Sequence, residues 1–181
     1  MKPYLRMTIV LAVLGLVFAS RDARAQQWPN PYGAPIAVEA ARKAAAAATV
    51  EARKNGWAVA VAVVDTAGDL VFFERMDGTQ VGSVKVSQEK ARTSARFKRP
   101  SKAFEDAIAN GRNAILGLPD VTPVEGGIPV VVEGKIVGAI GVSGGTSPQD
   151  AQCAMAGANT LGKQPTPPPP AAPPTPPPPK K

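Results

Sequence analysis

The chain has 181 residues, a net charge of +7 at pH 7 and an isoelectric point near 9.8. It contains no histidine and one cysteine, which excludes Ser-His and Cys-His nucleophile pairs, imidazole metal sites and any intrachain disulfide. Residues 26–163 hold 15 of the 21 Lys and Arg and 13 of the 14 Asp and Glu, a net charge of +2. The overall basicity therefore does not indicate a nucleic-acid partner.

The first 25 residues are organised like a cleavable signal peptide. Lys2 and Arg6 precede an uncharged apolar run of thirteen residues at 7–19, and small residues at positions 23 and 25 predict cleavage before Gln26. The alternative is a membrane anchor, which is disfavoured because such a run spans only about 20 Å as a helix. We expect an exported protein, periplasmic or secreted, without a stable membrane span after cleavage.

The first predicted helix covers residues 35–54, because this segment is alanine-rich, has Pro35 in its first turn and is followed by Asn55-Gly56. Residues 58–64 alternate Ala with Val and predict a central strand with small residues under a closely packed helix. After a turn, residues 70–75 are predicted to return as an antiparallel strand.

A second helix is predicted over residues 83–97 with Ser83 as its N-cap, and a third one begins after Pro100. A second hairpin follows at residues 128–142, where Pro129 indicates an edge strand. The last helix is predicted to begin with Ser147 as its cap and to run to about residue 161.

This order of elements predicts an α+β fold: a single antiparallel sheet of about five strands covered by helices on both faces. The domain is expected to cover residues 26–163. A tail at residues 164–181 follows, in which eleven of the fifteen residues 165–179 are proline. Such a segment favours polyproline II and is either a solvated spacer or a docking ligand for a proline-reading partner.

Two segments could bind an anion. The glycine-rich run 138–146 leads a predicted strand directly into a helix N-terminus, so it is either a tight turn or an anion cradle. Residues 85–102 carry seven basic residues and one acid, so this segment is either a solvated face or a site for a carboxylate ligand. Nucleic acid is disfavoured there because only Phe97 could stack on a base.

Four acids surround the first hairpin, Asp65, Asp69, Glu74 and Asp77. They could ligate a hard cation or act as acid and base, although acids in hairpin turns are commonly turn formers. Cys153 lies in an alanine-rich helix and is interpreted as a buried, inert thiol.

Several motifs occur together in a fixed order and resemble a known family. They are Asp65-x-x-Gly68-x-Leu70, Arg75-Met76-Asp77-Gly78, the run Ala91-Arg92-Thr93-Ser94-Ala95-Arg96-Phe97, Gly126-Gly127-Ile128-Pro129, and Gly138 to Thr146 with Gln149-Asp150. Over roughly residues 33–163 the chain resembles the GlcG/HbpS-like family, also called the haem-degrading domain.

The resemblance implies an α/β/α domain and homo-oligomers, haem binding in exported members, and small-acid catabolism around intracellular ones. It implies a pocket lined by Arg75, Met76, Asp77, Lys90, Thr93, Phe97, Gly127 and Ser143, and Gly144 of the glycine run joins this candidate site. Haem propionates would be bound by Arg92, Arg96 or Lys90. Without histidine, the axial ligand of a haem iron would be Met76, Met155, Tyr32, Cys153, Thr93 or a lysine, and Met76 is the favoured candidate.

Three functions stay open. The first is an exported protein that binds haem or another tetrapyrrole and scavenges or buffers it. The second is an enzyme or accessory protein that handles a small carboxylic or hydroxy acid. The third is a non-catalytic interaction module.

Overall fold

The computed structural model describes residues 30–162 and residue 164. The predicted signal peptide and residues 165–181 of the predicted tail lie outside the described residues. Gln164 packs on the domain with 8% of its surface exposed, so the packed region extends one residue beyond the predicted boundary at 163.

The described elements follow the predicted order. Helix α1 covers Val38–Lys54, β1 Ala60–Val64, β2 Leu70–Arg75, α2 Ser83–Phe97 and α3 Lys102–Ala109. A short 3-10 helix at Asn113–Gly117 precedes β3 Gly127–Val132, β4 Lys135–Ser143 and α4 Ser147–Asn159. Among the described residues, no helix combines the length and apolar character needed to cross a bilayer.

The strands form one antiparallel sheet in the order β2-β1-β4-β3. The described residues therefore contain four strands rather than the expected five or so. A short extended segment beside β4 stops short of being a fifth strand. It makes an isolated bridge between Tyr32 and Ile136, and Gly33 donates to the Ile136 carbonyl at 2.8 Å.

Helices cover both faces of the sheet, as predicted. Val61 and Val63 of β1 point into the larger core, which includes α1 and α4. Ala62 points to the other face, where it packs with Ala91 and Ala95 of α2. The alternation of Ala and Val thus lets α2 approach the sheet closely, and the position of β3 at an edge agrees with Pro129.

Both predicted N-caps are wrong by one residue. Gly82 holds the N-cap position of α2, and the Ser83 hydroxyl accepts from Gln80 and from Ser143 instead. Thr146 rather than Ser147 caps α4, because Thr146 is still extended and forms a capping box with Gln149. The first helix begins at Val38 rather than 35, since the preceding residues hydrogen-bond to β4.

Candidate functional site

A groove of about 320 Å³ lies where β2 ends, and it is lined by Arg53, Glu74, Arg75, Met76 and Asp77. The predicted residues Arg75, Met76 and Asp77 are thus brought together. The Met76 backbone is held from both sides, since its N–H donates to Val59 O at 3.0 Å and its carbonyl accepts from the Thr79 hydroxyl at 2.8 Å.

Arg53 is the member of this groove that the sequence analysis missed. It lies in the last turn of α1, and its guanidinium approaches Glu74 Oε1 at 3.7 Å. In the sequence it is one of several charges near the end of an amphipathic helix. Only the packing of α1 over β2 brings it to Met76, so no sequence signal could have identified it.

Lys90 does not line an accessible pocket. Its side chain is 2% exposed, and its ammonium group contacts Asp150 Oδ2 at 2.8 Å and donates to Val142 O at 3.2 Å. Burial raises the pKa of the Asp150 carboxyl, while hydrogen bonds from Lys90 and the glycine loop act in the opposite direction. The Lys90 charge is therefore balanced inside the protein rather than offered to a propionate.

Side chains of α4, the helix that follows the glycine-rich run, accept hydrogen bonds from two backbone N–H groups of this run. Gly145 N–H donates to Asp150 Oδ1 and Thr146 N–H donates to Gln149 Oε1, both at 2.9 Å. An internal carboxylate thus takes the place that an external anion would need. This arrangement favours the tight-turn interpretation, and it places Gly144 at φ +153° against the Ala58 carbonyl.

The arginines of α2 bind the turn between β1 and β2. Arg92 Nε donates to Gly68 O at 3.2 Å and its guanidinium pairs with Glu89 at 2.6 Å. Arg96 Nε donates to Ala67 O at 2.8 Å, and its other end pairs with Asp120 at 2.9 Å. Much of the donor capacity of this basic segment is consequently used within the fold.

The remaining candidate residues make contacts within the fold, away from the groove. Thr93 is fully buried and its hydroxyl accepts from Thr122 N–H at 2.9 Å. Phe97 packs edge-on against Phe104 with ring centroids 5.3 Å apart. Gly127 lies under the backbone of α2, where a Cβ would meet the Lys90 carbonyl. Ser143 is buried and donates to Ser83.

The comparisons with known proteins decide the family. Residues 36–159 match the family described as "Haem degrading protein HbpS-like". The chain belongs to the HbpS-like family. Protein GlcG of Escherichia coli is 48% identical over 98 residues, which are 54% of this chain and 73% of GlcG.

Solved structures agree with the HbpS-like fold. A double mutant of Streptomyces reticuli HbpS has a TM-score of 0.66 and 35% identity, over 72% of this chain and 89% of that one. A structure described as a PduOC:heme complex has a TM-score of 0.64 and 23% identity, over 72% of this chain and 99% of that one. At that identity, the likeness to PduOC concerns the fold alone.

In this HbpS-like protein, the other candidates for the axial ligand are buried, hydrogen-bonded or packed within the fold. Cys153 is fully buried, and burial, with smaller contributions from Asp150 and Glu51, raises the pKa of its thiol to about 11. The Tyr32 hydroxyl donates to Ala95 O at 2.8 Å, and burial raises its pKa. Met155 and Met76 both pack against the larger core, but Met155 is not among the residues that line the groove. Of the named candidates other than lysines, only Met76 lines the groove described above.

The acids of the first hairpin are candidates for turn formers or for ligands of a hard cation. Asp65 is a turn former, because its Oδ1 accepts from Ala67 N–H at 2.8 Å and from Asp69 N–H at 3.0 Å. Within the described residues, no three His, Cys, Asp or Glu side chains converge as a metal site would require. The hard-cation interpretation therefore gains no support here.

Proposed function

We propose that this protein is an exported haem-binding protein that scavenges or buffers haem in the periplasm or outside the cell. The observation that carries the proposal is the presence of Met76, whose side chain is partly buried, in the lining of an open groove that also contains Arg53 and Arg75. Membership of the HbpS-like family supports the ligand class, and one protein of the same fold is described as a haem complex.

The residues of the groove include the types of side chain that bind haem. A thioether is a known axial ligand of haem iron, and guanidinium groups bind carboxylates such as propionates through charge-assisted hydrogen bonds. Arg53 and Arg75 thus replace the α2 residues as the expected propionate partners. Bound iron would supply the redox and ligand-binding chemistry of haem, while the protein binds and orients the macrocycle.

The size and charge of the groove set the expected affinity. At about 320 Å³, the groove is at the lower end for small-molecule sites, so much of a porphyrin would extend over the surrounding surface. Glu74 and Asp77 offset the two arginines in charge. We therefore expect hemin to bind with a Kd of about 1 μM or weaker, and binding to weaken as salt is added.

The test is a hemin titration of the mature protein, followed by the Soret band at low and at high ionic strength. Met76→Leu should change the position of the band and lower the affinity, whereas Met155→Leu, a methionine that packs against the core away from the groove, should leave both unchanged. Arg75→Ala should weaken binding more than Arg112→Ala, an exposed arginine outside the groove.

Two results would contradict the proposal. Nanomolar, salt-independent binding with a bis-ligated low-spin spectrum would require a different site. A Soret band unchanged by the protein would favour the small-acid alternative instead.

A further inference from the structure

Exposed apolar side chains are concentrated in the segment between α3 and β3, and residues 111–124 are called the apolar segment below. In the part of the chain that the structure describes, eight large apolar side chains are exposed. Two of them, Leu116 and Leu118, are 66% and 41% exposed and lie two residues apart, and Val124 follows with 37%. Exposed apolar residues that occur singly are ordinary, whereas several in one place indicate an interaction surface.

Hydrogen bonds hold the apolar segment in a defined conformation. Ile115 N–H donates to Arg112 O at 3.2 Å, and Leu118 N–H donates to Ile115 O at 3.0 Å. Ile115 is only 7% exposed and anchors the 3-10 helix on the domain, while the next residue, Leu116, is left in solvent. The two leucines are therefore displayed on a fixed turn instead of being collapsed against the core.

The charge of the apolar segment is positive. Arg112 is exposed, directly precedes the 3-10 helix and has no acidic partner among the described residues. The single acid of residues 111–124 is Asp120, and its carboxylate pairs with Arg96 at 2.9 Å. Arg99 adds a second guanidinium nearby, because burial and then the charge of Arg112 lower its pKa.

The cation and the leucines lie close together. At about 2 Å per residue along a 3-10 helix, Arg112 is separated from Leu116 by about 8 Å. From this arrangement we propose that the apolar segment binds the surface of a bilayer that contains anionic phospholipids. Leu116 and Leu118 enter the boundary between headgroups and acyl chains, and the Arg112 guanidinium binds lipid phosphates through charge-assisted hydrogen bonds.

A lipid surface is the favoured occupant because it matches the charge and the size of this feature. A bilayer presents a layer of phosphates next to apolar chains, and the apolar segment presents a cation next to apolar side chains. Peripheral binding grows with the apolar area buried and with attraction to anionic lipids, so a small apolar tip contributes to it. A stable protein–protein interface needs about 800 Å² from each partner.

The proposed contact acts over a short range and is independent of the haem proposal. Residues 26–163 carry a net charge of only +2, so the local arginine and the apolar contact supply the binding. The tests below are carried out without hemin. A failure of lipid binding and a failure of haem binding are therefore separate results.

The first measurement is co-flotation of the protein with vesicles, using the chain from Gln26 onward because the apolar run before it could itself bind lipid. Vesicles of phosphatidylglycerol and phosphatidylcholine in equal parts should bind the protein more tightly than vesicles of phosphatidylcholine alone. Leu116→Asp should raise the dissociation constant by roughly tenfold or more, and Arg112→Gln by roughly fivefold. Val50→Asp is the matched control, since Val50 is 56% exposed on α1, and it should leave binding unchanged.

Three results would overturn the proposal. The first is a wild type that binds neither kind of vesicle or binds both equally. The second is an equal loss for Leu116→Asp and Val50→Asp, which would assign the binding to another part of the chain. The third comes from light scattering without lipid, where Leu116→Asp should keep the mass and thermal midpoint of the wild type. A lower mass would show that the apolar segment is an interface between copies of the chain.

The second measurement reports insertion directly. Leu118→Cys carries a fluorophore whose emission moves to shorter wavelength in apolar surroundings, and Val50→Cys carries the same label as the control. The native Cys153 does not interfere, because it is buried and the pKa of its thiol is raised to about 11. The mixed vesicles should shift only the label at position 118. Equal shifts at both positions, or no shift at 118 in protein that floats with the vesicles, would contradict insertion of the leucines.

Discussion

At the scale of single residues, the Lys90–Asp150 pair shows how two buried charges are accommodated. Both side chains are at most 3% exposed, and the carboxylate also accepts from Gly145 N–H. Such a pair contributes little net stability compared with apolar residues of the same volume, but removal of one partner leaves the other buried and uncompensated.

Lys90→Met should therefore lower the free energy of unfolding by about 3–5 kcal/mol. Lys102→Met is the matched control, because Lys102 makes an equally short contact of 2.8 Å with Asp106 while it is 47% exposed, and its loss should cost at most about 1 kcal/mol. Urea denaturation of both variants measures the difference. Similar losses would mean that the buried pair is solvated after all.

Cys153 gives a pH prediction whose sign follows from its raised pKa of about 11. The unfolded thiol loses its proton near its ordinary value, about 9, whereas the folded thiol keeps it. The contribution of this residue to stability is thus complete below pH 9 and is lost as the pH rises to about 11.

The fall in stability between pH 9 and 11 should consequently be smaller in Cys153→Ala than in the wild type. The difference between the two denaturation series isolates the thiol from the Lys and Tyr residues that also titrate in this range. Rapid reaction of the native thiol with a disulfide reagent at pH 8, without denaturant, would contradict the assignment.

At the scale of elements, close contacts between α2 and the sheet need glycine at particular positions. A Cβ on Gly141 would meet the Ser87 carbonyl and, at 2.5 Å, the backbone nitrogen of Ala91. Backbone atoms of a central helix cannot move away as the end of a side chain can. Gly144 is crowded in the same way, because a Cβ there would meet the Ala58 carbonyl.

Gly141→Ala should cost about 2 kcal/mol or more in thermal or urea unfolding. Gly82→Ala, where a Cβ meets nothing within 4 Å, should change stability by less than about 1 kcal/mol. Equal stabilities of the two alanine variants would show that the fold tolerates a Cβ at position 141.

The end of the domain gives a prediction about β3. From the sequence, removal of residues 164–181 is expected to leave stability unchanged. The structure shows instead that Gln164 Nε2 donates to Gly162 O at 2.6 Å and Ala158 O at 2.8 Å, while Gln164 Oε1 accepts from Val131 N–H.

Deletion of residues 165–181 should therefore be neutral within about 0.5 kcal/mol. Deletion of residues 164–181 should cost about 1–3 kcal/mol, since a buried N–H group loses its partner. Thermal midpoints of the two truncated proteins separate these outcomes. Equal midpoints would show that Gln164 does not support β3.

At the scale of the whole molecule, the excess of basic residues lies mainly near the two ends of the chain rather than in the domain between them. The basic residues that raise the isoelectric point lie partly in the predicted signal peptide and in the last two residues. The domain between them is nearly balanced, and its most basic segment is engaged in internal ion pairs. Long-range attraction of an acidic macromolecule is therefore not the expected mode of recognition.

The proposed export predicts a mature chain that begins at Gln26 or within two residues of it. Expression of the complete chain in a host with a secretion pathway, followed by intact-mass measurement of the exported fraction, tests this directly. An exported product that retains residues 1–25 would show that the apolar run is not cleaved.

The sequence by itself determined the order of the elements, the two hairpins, the helices on both faces and the family. These features follow from local rules: the Ala–Val alternation of β1, the glycine and proline stops, and motifs in fixed order. The boundaries that failed were those where a distant segment supplied the hydrogen-bond partners, as at the start of α1 and at Gln164.

Only the tertiary structure decided which candidate site residues meet. Their proximity in the sequence suggested that Lys90, Arg92 and Arg96 form a ligand site. In the fold, Lys90 pairs with Asp150, and the two arginines donate hydrogen bonds to the turn between β1 and β2. The fold brought Arg53 to Met76 from a helix more than twenty residues earlier. The physical reason is that a charged side chain takes the partner that packing places within reach, and packing depends on contacts between segments far apart in the chain.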